Sequence, residues 1–251
     1  MGASEFVISL LYFGFSEFAT LSYASVAVKT LNRKQFEDLI QGSEVLAEDT
    51  HGLKVLALPS GEYLKLFRRK RLVSSAALWP YARRFEHASG QLKARAIPTV
   101  EVIDVFKVRG PRRDAVRYQP LGGRTFREAL SDADGIYDLM NGFARFFAEL
   151  HVAGVYFRAI HAANIIVMQD DRMGLIDISE ATFRNRALGV GQRARNFKHL
   201  VRYEEDAERL VEFGISSFFR HYLVHAGLSG VDGARLARCV ARLGAPFDAL
   251  R

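Results

Sequence analysis

The feature that most constrains the fold is a change in hydrophobic periodicity near Gly122-Gly123. Before this point, short apolar runs bounded by turn residues are typical of β-strands. After it, apolar residues recur at the 3.6-residue period of a helix. We therefore predict an α+β fold with two lobes: a small antiparallel β-rich N-lobe over residues 30–121 and a mainly helical C-lobe over residues 122–251. A composition of 49% hydrophobic and 25% charged residues excludes intrinsic disorder and a multi-span membrane protein.

Turn residues divide the first half into predicted elements. The segments 43–47, 53–58 and 62–67 form three strands of an antiparallel meander, separated by turns rich in Asp, Gly and Pro. Two further strands follow over 99–105 and 115–121. Helices are expected over 32–39, with Asn32 as the capping residue, and over 81–95.

In the second half, Thr125 is a candidate cap for a short helix over 126–130. One apolar stripe predicts a longer helix over 136–150. Two short β segments, 165–168 and 175–178, are separated by an Asp170-Asp171 turn. From Glu204 onwards the chain is expected to be mostly helical.

Residues 1–29 form an apolar extension, in which Glu17 divides two uncharged runs. A signal peptide requires a basic first region, and Glu5 is the only early charge here. Four readings stay open: a membrane span, an extra apolar helix, a helix lying at a membrane interface, and an unstructured extension. The folded domain is expected to start near Thr30.

The net charge is +7, from 35 Lys and Arg against 28 Asp and Glu. Such a charge favours anionic partners, namely a nucleotide, a phospholipid, a phosphorylated glycan or a nucleic acid. We expect no nucleic acid, because no recognised binding motif accompanies the basic residues. A single cysteine, Cys239, excludes an intrachain disulfide and a cysteine-rich zinc site. Its helical neighbours indicate a buried thiol.

Four polar residues follow one another in an order that indicates chemistry: Lys65 in the third strand, Glu86 on the following helix, then Asn164 and Asp177. Lys65 and Asp177 each stand between apolar residues, where burial is costly without a charged partner. This order resembles the protein-kinase-like fold, and most closely its lipopolysaccharide-core (heptose and Kdo) kinases and their "toluene tolerance" relatives. The resemblance covers about residues 43–203, and its most specific part runs from Leu150-His151 to Asp177.

The resemblance implies a bilobal protein-kinase-like fold that binds ATP and Mg²⁺. Lys65 would hold the α and β phosphates, and Asn164 and Asp177 would be the metal ligands, with Asp177 also counted among the catalytic residues. Three further assignments concern the nucleotide. Glu86 would pair with Lys65, although Glu62 and Glu101 are also in range; Gly52 would lie in the phosphate loop; and the hinge from Tyr118 to Leu121 would meet the adenine.

The sequence departs from the kinase pattern at Ala159, where kinases carry the aspartate that accepts the substrate proton. His161 is the titratable candidate in this loop, either as a surrogate base or as a brace of the loop. Arg158 is a further catalytic candidate, although a pairing with a nearby carboxylate is the alternative. Two functions follow: an ATP-dependent kinase acting on a sugar hydroxyl of lipopolysaccharide core or a related envelope glycan, and a pseudokinase that retains nucleotide without transfer.

A basic stretch after the hairpin suits an anionic glycolipid or sugar acceptor, or else is a solvated face. The run Arg68–Arg71 would suit peripheral contact with anionic lipid. We therefore expect a cytoplasmic protein with peripheral contact at the inner membrane surface. The basic stretch and the residues that follow it are Arg184, Arg186, Arg193, Arg195, Asn196, His199 and Arg202.

Overall fold

The computed structural model describes residues 25–69, 79–131 and 136–250. Most of the apolar extension, together with Lys70 and Arg71 of the basic run, lies outside these residues, so what the sequence predicts for them stays a prediction. None of the helices within these ranges combines the length and the apolar character needed to cross a bilayer.

The first part of the chain folds around a six-stranded sheet. The order of its strands is β1-β5-β6-β4-β3-β2, and every neighbouring pair is antiparallel except β1 and β5. The expected meander is present in β2, β3 and β4, and β6 then pairs with β4. The strands are β1 (Val28–Leu31), β2 (Glu44–Asp49), β3 (Gly52–Ala57), β4 (Tyr63–Arg68), β5 (Glu101–Val108) and β6 (Arg113–Gln119).

Strand β1 corrects the expected boundary between the extension 1–29 and the folded domain. The sheet already begins at Val28, because Val28 to Leu31 pair in parallel with Val105 to Val108 at the edge of the sheet. Sequence analysis missed this strand because it follows directly on a long apolar segment that carries no turn signal.

Two helices cover the two faces of this sheet. Helix α1 (Arg33–Ile40) is capped by Asn32 as expected: Asn32 Oδ1 accepts from Gln35 N–H, and the Gln35 side-chain oxygen accepts from Asn32 N–H. Its Phe36 packs with Leu64 and Leu66 in a small core on one face. Helix α2 (Tyr81–Lys93) packs on the opposite face, within the larger core that the sheet shares with the helical part.

The second part of the chain is mainly helical. Thr125 caps α3 in a capping box: its hydroxyl oxygen accepts from Glu128 N–H, and the Glu128 carboxylate accepts from Thr125 N–H. Small strands form a sheet ordered β10-β9-β7 and a pair of β11 with β8. The strands are β7 (Arg124–Thr125), β8 (Val155–Phe157), β9 (Ile165–Val167), β10 (Met173–Leu175) and β11 (Ala181–Phe183). The helices are α3 (Phe126–Ser131), α4 (Ile136–Val152), α5 (Val190–Leu200), α6 (Glu204–Phe213), α7 (Ile215–His225) and α8 (Gly230–Ala241).

The architecture is thus α+β, with an antiparallel-rich N-terminal sheet and a helical C-terminal part, and this is compatible with a bilobal fold. One continuous core joins the two parts, because Val105 and Val116 of the sheet belong to the same cluster as Phe147 and Phe197 of the helices. The predicted hairpin is present, although its second strand ends at Leu175 and not at Ile178.

Candidate functional site

Strand β4 places Lys65 on the sheet face that looks towards the helical part. Side chains alternate between faces along a strand, so Leu64 and Leu66 enter the small core under α1 while Lys65 takes the other face. The Lys65 Nζ atom lies 5.9 Å from the centre of the Phe67 ring and 5.8 Å from that of Phe85. Only 17% of the Lys65 side chain is exposed, so this cation needs an anionic partner.

That partner is Asp177, whose Oδ1 atom lies 2.7 Å from Lys65 Nζ. Asp177 has a left-handed backbone, with φ 54° and ψ 43°, which Asp and Asn tolerate better than most residues. This conformation ends strand β10 before the residue, which explains why the strand is shorter than expected. The Asp177 side chain is 46% exposed, so the pair lies at an accessible rim.

The segment after α2 holds the β9–β10 hairpin in place, and this positions Asp177, which follows β10. Leu175 N–H donates to the Pro98 carbonyl at 2.9 Å, and the Thr99 hydroxyl donates to the Leu175 carbonyl at 2.7 Å. Gly174 permits this close approach, since a Cβ atom there would lie 2.4 Å from Leu121 and 2.7 Å from the Pro98 carbonyl oxygen.

Asn164 lies beside the same hairpin, at the end of the loop from Arg158 to Asn164 that follows β8. Its backbone carbonyl accepts a hydrogen bond from Ile176 N–H, the residue directly before Asp177, at 3.0 Å. Its side-chain nitrogen donates to the Ala159 carbonyl at 3.0 Å and contacts His161 Nε2 at 2.9 Å. A carbonyl can only accept, which fixes the orientation of the amide. Within the described part of the chain, Asn164 Oδ1 accepts no hydrogen bond, so it has the lone pairs that a hard cation requires.

The same contacts define the state of His161. Because Asn164 donates to Nε2, the ring proton belongs on Nδ1, which is buried and has no hydrogen-bond partner among the described residues. Burial lowers the pKa of His161, so the ring is neutral near pH 7. The Tyr203 ring lies edge-on, with 4.9 Å between centroids. This geometry favours the bracing role over that of a surrogate base.

Asp206 anchors the loop, a residue that sequence analysis did not single out. Its carboxylate accepts from Ala162 N–H at 3.1 Å and from the Arg127 guanidinium at 2.8 Å, with 7% of the side chain exposed. The acidic run from Glu204 to Asp206 indicates only the start of a helix, so nothing in the sequence distinguishes Asp206 from its neighbours.

Behind the loop, a buried polar network holds strand β8. The Asn196 amide clamps Phe157 by accepting from its N–H at 3.3 Å and donating to its carbonyl at 2.8 Å. His151 contacts Asn196 Oδ1 at 3.1 Å and the Tyr222 hydroxyl at 2.8 Å, and Arg193 donates to that hydroxyl at 2.7 Å. Arg193 and Asn196 are therefore buried scaffold residues, and the expectation of an acceptor-facing role is wrong for Arg193.

Glu86 does not pair with Lys65. Its carboxylate accepts from Val26 N–H at 2.9 Å and from Arg83 at 3.2 Å, because the chain entering β1 runs along this side of α2. The residue of α2 near Lys65 is instead Phe85. Arg158 is exposed, with Glu180 as its nearest carboxylate at 3.8 Å, which matches the pairing given as an alternative for it.

A cavity of about 590 Å³ opens in front of the Lys65–Asp177 pair. Gly52, the first residue of β3, lines it with φ +99°. Tyr118 and Leu121, expected to form a hinge, are absent from its described lining. Tyr118 packs against Phe85 behind the site, and burial, together with the Asp177 charge, raises the pKa of Tyr118. The charged residues of the lining are Asp49, Lys54, Lys65, Arg68, Arg113 and Asp177.

Comparison with known proteins gives no match for this chain, either to a protein-family model or to a curated protein. The site therefore rests on its own geometry. Residues 25–69, 79–131 and 136–250 contain no group of three His, Cys, Asp or Glu side chains suited to a metal ion. A cation at Asp177 and Asn164 would thus take two protein oxygen groups, the pattern of Mg²⁺ bound through substrate phosphates and water.

Proposed function

We propose that this chain has a kinase-like fold and binds a nucleoside triphosphate, as Mg²⁺–ATP, in the cavity in front of Lys65 and Asp177. The observation that carries the proposal is the 2.7 Å contact of Lys65 with Asp177, with the backbone of Asn164 bonded to the residue before Asp177. These three residues are distant in sequence. Lys65 and Asp177 both line the cavity, and the Asn164 backbone bonds to the residue directly before Asp177.

The charge and size of the cavity support this ligand. Its lining contains four cationic side chains, Lys54, Lys65, Arg68 and Arg113, against two carboxylates. Such an excess favours a polyanion, and about 590 Å³ lies in the range of small-molecule sites. Lys65 would donate to phosphate oxygens, and Asn164 and Asp177 would hold Mg²⁺. When bound, the ion neutralises charge on the phosphates.

The loop geometry favours nucleotide binding without efficient transfer, which is the pseudokinase function. Ala159 offers no side-chain base. The Asn164 amide donates a hydrogen bond to Nε2 of His161, and Nδ1 of His161 is buried. Loss of a general base typically costs about 10²–10⁴-fold in rate. Asn196 and Asp206 nevertheless hold the loop in place, so its shape does not depend on a catalytic side chain.

Phosphoryl transfer to a sugar hydroxyl of an envelope glycan is the second candidate. It is favoured by Arg158, which is exposed next to Ala159 and would attract an anionic glycolipid or sugar. A cytoplasmic location, with peripheral membrane contact through the run that begins at Arg68, belongs to the same proposal.

Titration calorimetry of the full chain with Mg²⁺ and ATP tests the binding. Lys65→Met and Asp177→Ala should each weaken affinity roughly 10–100-fold, the loss expected for a charge-assisted contact. Lys93→Met, which removes an exposed lysine paired with Glu101, is the matched control and should bind as the parent does. Unchanged affinity in both cleft variants would contradict the proposal.

Turnover separates the two functions. The pseudokinase function predicts that ATP binds but that core oligosaccharide is not phosphorylated beyond the background of Asp177→Ala. Transfer well above that background, abolished in Lys65→Met, would instead establish the kinase. In that case His161→Ala should retain the rate unless Asn164 moves away from the ring.

A further inference from the structure

A second group of cations lies beside the loop, outside the nucleotide cavity. Tyr156 of β8 reaches α5, where its hydroxyl contacts His199 Nε2 at 3.2 Å. Arg158 follows in the turn directly after β8. The contact therefore brings the end of β8, with Arg158 behind it, next to His199 of α5, and the charge of Arg158 acts on that ring.

The end of α5 adds two more cations to this group. Lys198 lies in the last turn of α5 and Arg202 two residues beyond its end, and both are exposed. Within the described residues, neither has an ion-pair partner. The one carboxylate paired with this group in that part of the chain is Glu180, 3.8 Å from Arg158 and 39% exposed.

The electrostatics of His199 agree with this arrangement. Partial burial lowers its pKa, and the charges that lower it further are those of Arg158, Arg202 and Lys198. Among the described residues, no acidic group opposes this effect on the ring. Three cations thus act on one neutral imidazole, and an anion bound among them would relieve their repulsion.

We propose that Arg158, Lys198, His199 and Arg202 form a second anion site, which takes the phosphate group of a phosphomonoester or of a phospholipid headgroup. Arg158 would provide a planar pair of donors, Lys198 and Arg202 would provide charge, and His199 would become protonated as the anion binds. The charge of Arg202 also lowers the pKa of His161, so a ligand bound here lies beside the loop that contains His161. The site does not depend on nucleotide binding.

The test is sulfate binding to the full chain carrying Lys65→Met, which weakens anion binding in the nucleotide cavity. Calorimetry and the histidine ring signals in NMR are both measured, because sulfate keeps its charge as the ring is titrated. Sulfate should raise the apparent pKa of His199. The double variant Arg158→Gln with Arg202→Gln should lose this shift and weaken sulfate affinity roughly tenfold or more.

The matched control removes the same charge elsewhere: Arg220→Gln with Arg238→Gln, two exposed arginines on α7 and α8. It should bind sulfate as the parent does. Equal affinity in the site and control variants, or no change at His199, would overturn the proposal. Glucose 6-phosphate and phosphatidylcholine vesicles containing phosphatidylglycerol then identify the source of the phosphate. Loss of binding to either one in the site variant, but not in the control, supports the site.

Discussion

His151 shows how a single residue fixes the direction of a whole hydrogen-bond network. Burial raises the pKa of Tyr222 to about 12, so its hydroxyl keeps its proton. Arg193 donates to that oxygen, which directs the Tyr222 O–H to His151 Nδ1. His151 Nε2–H then donates to Asn196, and Asn196 positions Phe157. Every step requires a neutral imidazole.

We therefore predict that acidification destabilises the protein through His151. Burial lowers its folded-state pKa to about 3, below an unfolded-state value of about 6.5. The stability is fully present above pH 6.5 and is lost as the pH falls from there towards 3, because only the unfolded chain binds the proton in this window. This contribution is about 2 kcal/mol between pH 7 and pH 5. Urea unfolding at both pH values measures it.

His151→Phe should lower the free energy of unfolding by about 1–3 kcal/mol at pH 7, since it leaves the buried Tyr222 O–H without its acceptor and removes one donor from Asn196 Oδ1. It should also unfold with a weaker dependence on pH than the parent chain. Tyr222→Phe is the control: it removes the hydrogen bonds of the hydroxyl to His151 and Arg193 but keeps His151 buried, so the pH dependence should persist. Identical pH dependence in His151→Phe and the parent would contradict the assignment.

At the level of elements, the β9–β10 hairpin brings Asp177 to Lys65 on the sheet. It depends on Pro98 and Thr99, which lie between α2 and β5 and bond to Leu175. The approach is so close that Gly174 is the residue that fits between Leu121 and Pro98.

Gly174→Ala should therefore destabilise the fold by about 1–3 kcal/mol, the usual cost of forcing atoms into a packed site. ATP affinity should fall with it, because Asp177 follows three residues later. Gly122→Ala is the control: a Cβ there meets nothing within 4 Å, and stability should stay within about 0.5 kcal/mol. Thermal unfolding of both variants checks this, and equal stability would show that the contact is not tight.

Periodicity and turn residues were sufficient to predict most elements of the fold. The caps at Asn32 and Thr125 and the helix over Ile136–Val152 are local features, which a sequence encodes directly. Strand β1 was missed because parallel pairing with β5 leaves no local turn signal. The end of β10 was misplaced because the left-handed backbone at Asp177 depends on tertiary contacts.

For the site, the sequence predicted residue types better than their partners. Lys65, Asn164 and Asp177 could be predicted because charged or polar residues within apolar runs are costly to bury without a partner or a ligand. The rotation of α2, which turns Phe85 and not Glu86 towards Lys65, is set by packing and by the chain entering β1. In the same way, Arg193 is indistinguishable in sequence from the exposed arginines around it.

At the scale of the whole molecule, the two parts share one core, and the polar site lies at the edge of that core. The cationic residues behind the net charge of +7 include two groups: four line the cavity in front of Lys65 and Asp177, and a separate group lies around His199. The two proposals together predict that the protein binds two anionic ligands at separate sites.

The most direct test of the central claim is a crystal structure of the full chain grown with Mg²⁺ and a non-hydrolysable ATP analogue. We expect phosphate oxygens at Lys65 Nζ, and the cation bound by Asn164 Oδ1 and Asp177, with Lys65 and Asp177 further apart than 2.7 Å. If the analogue is bound elsewhere, or the cavity is empty while the Lys65–Asp177 pair stays intact at saturating ligand, the account is contradicted.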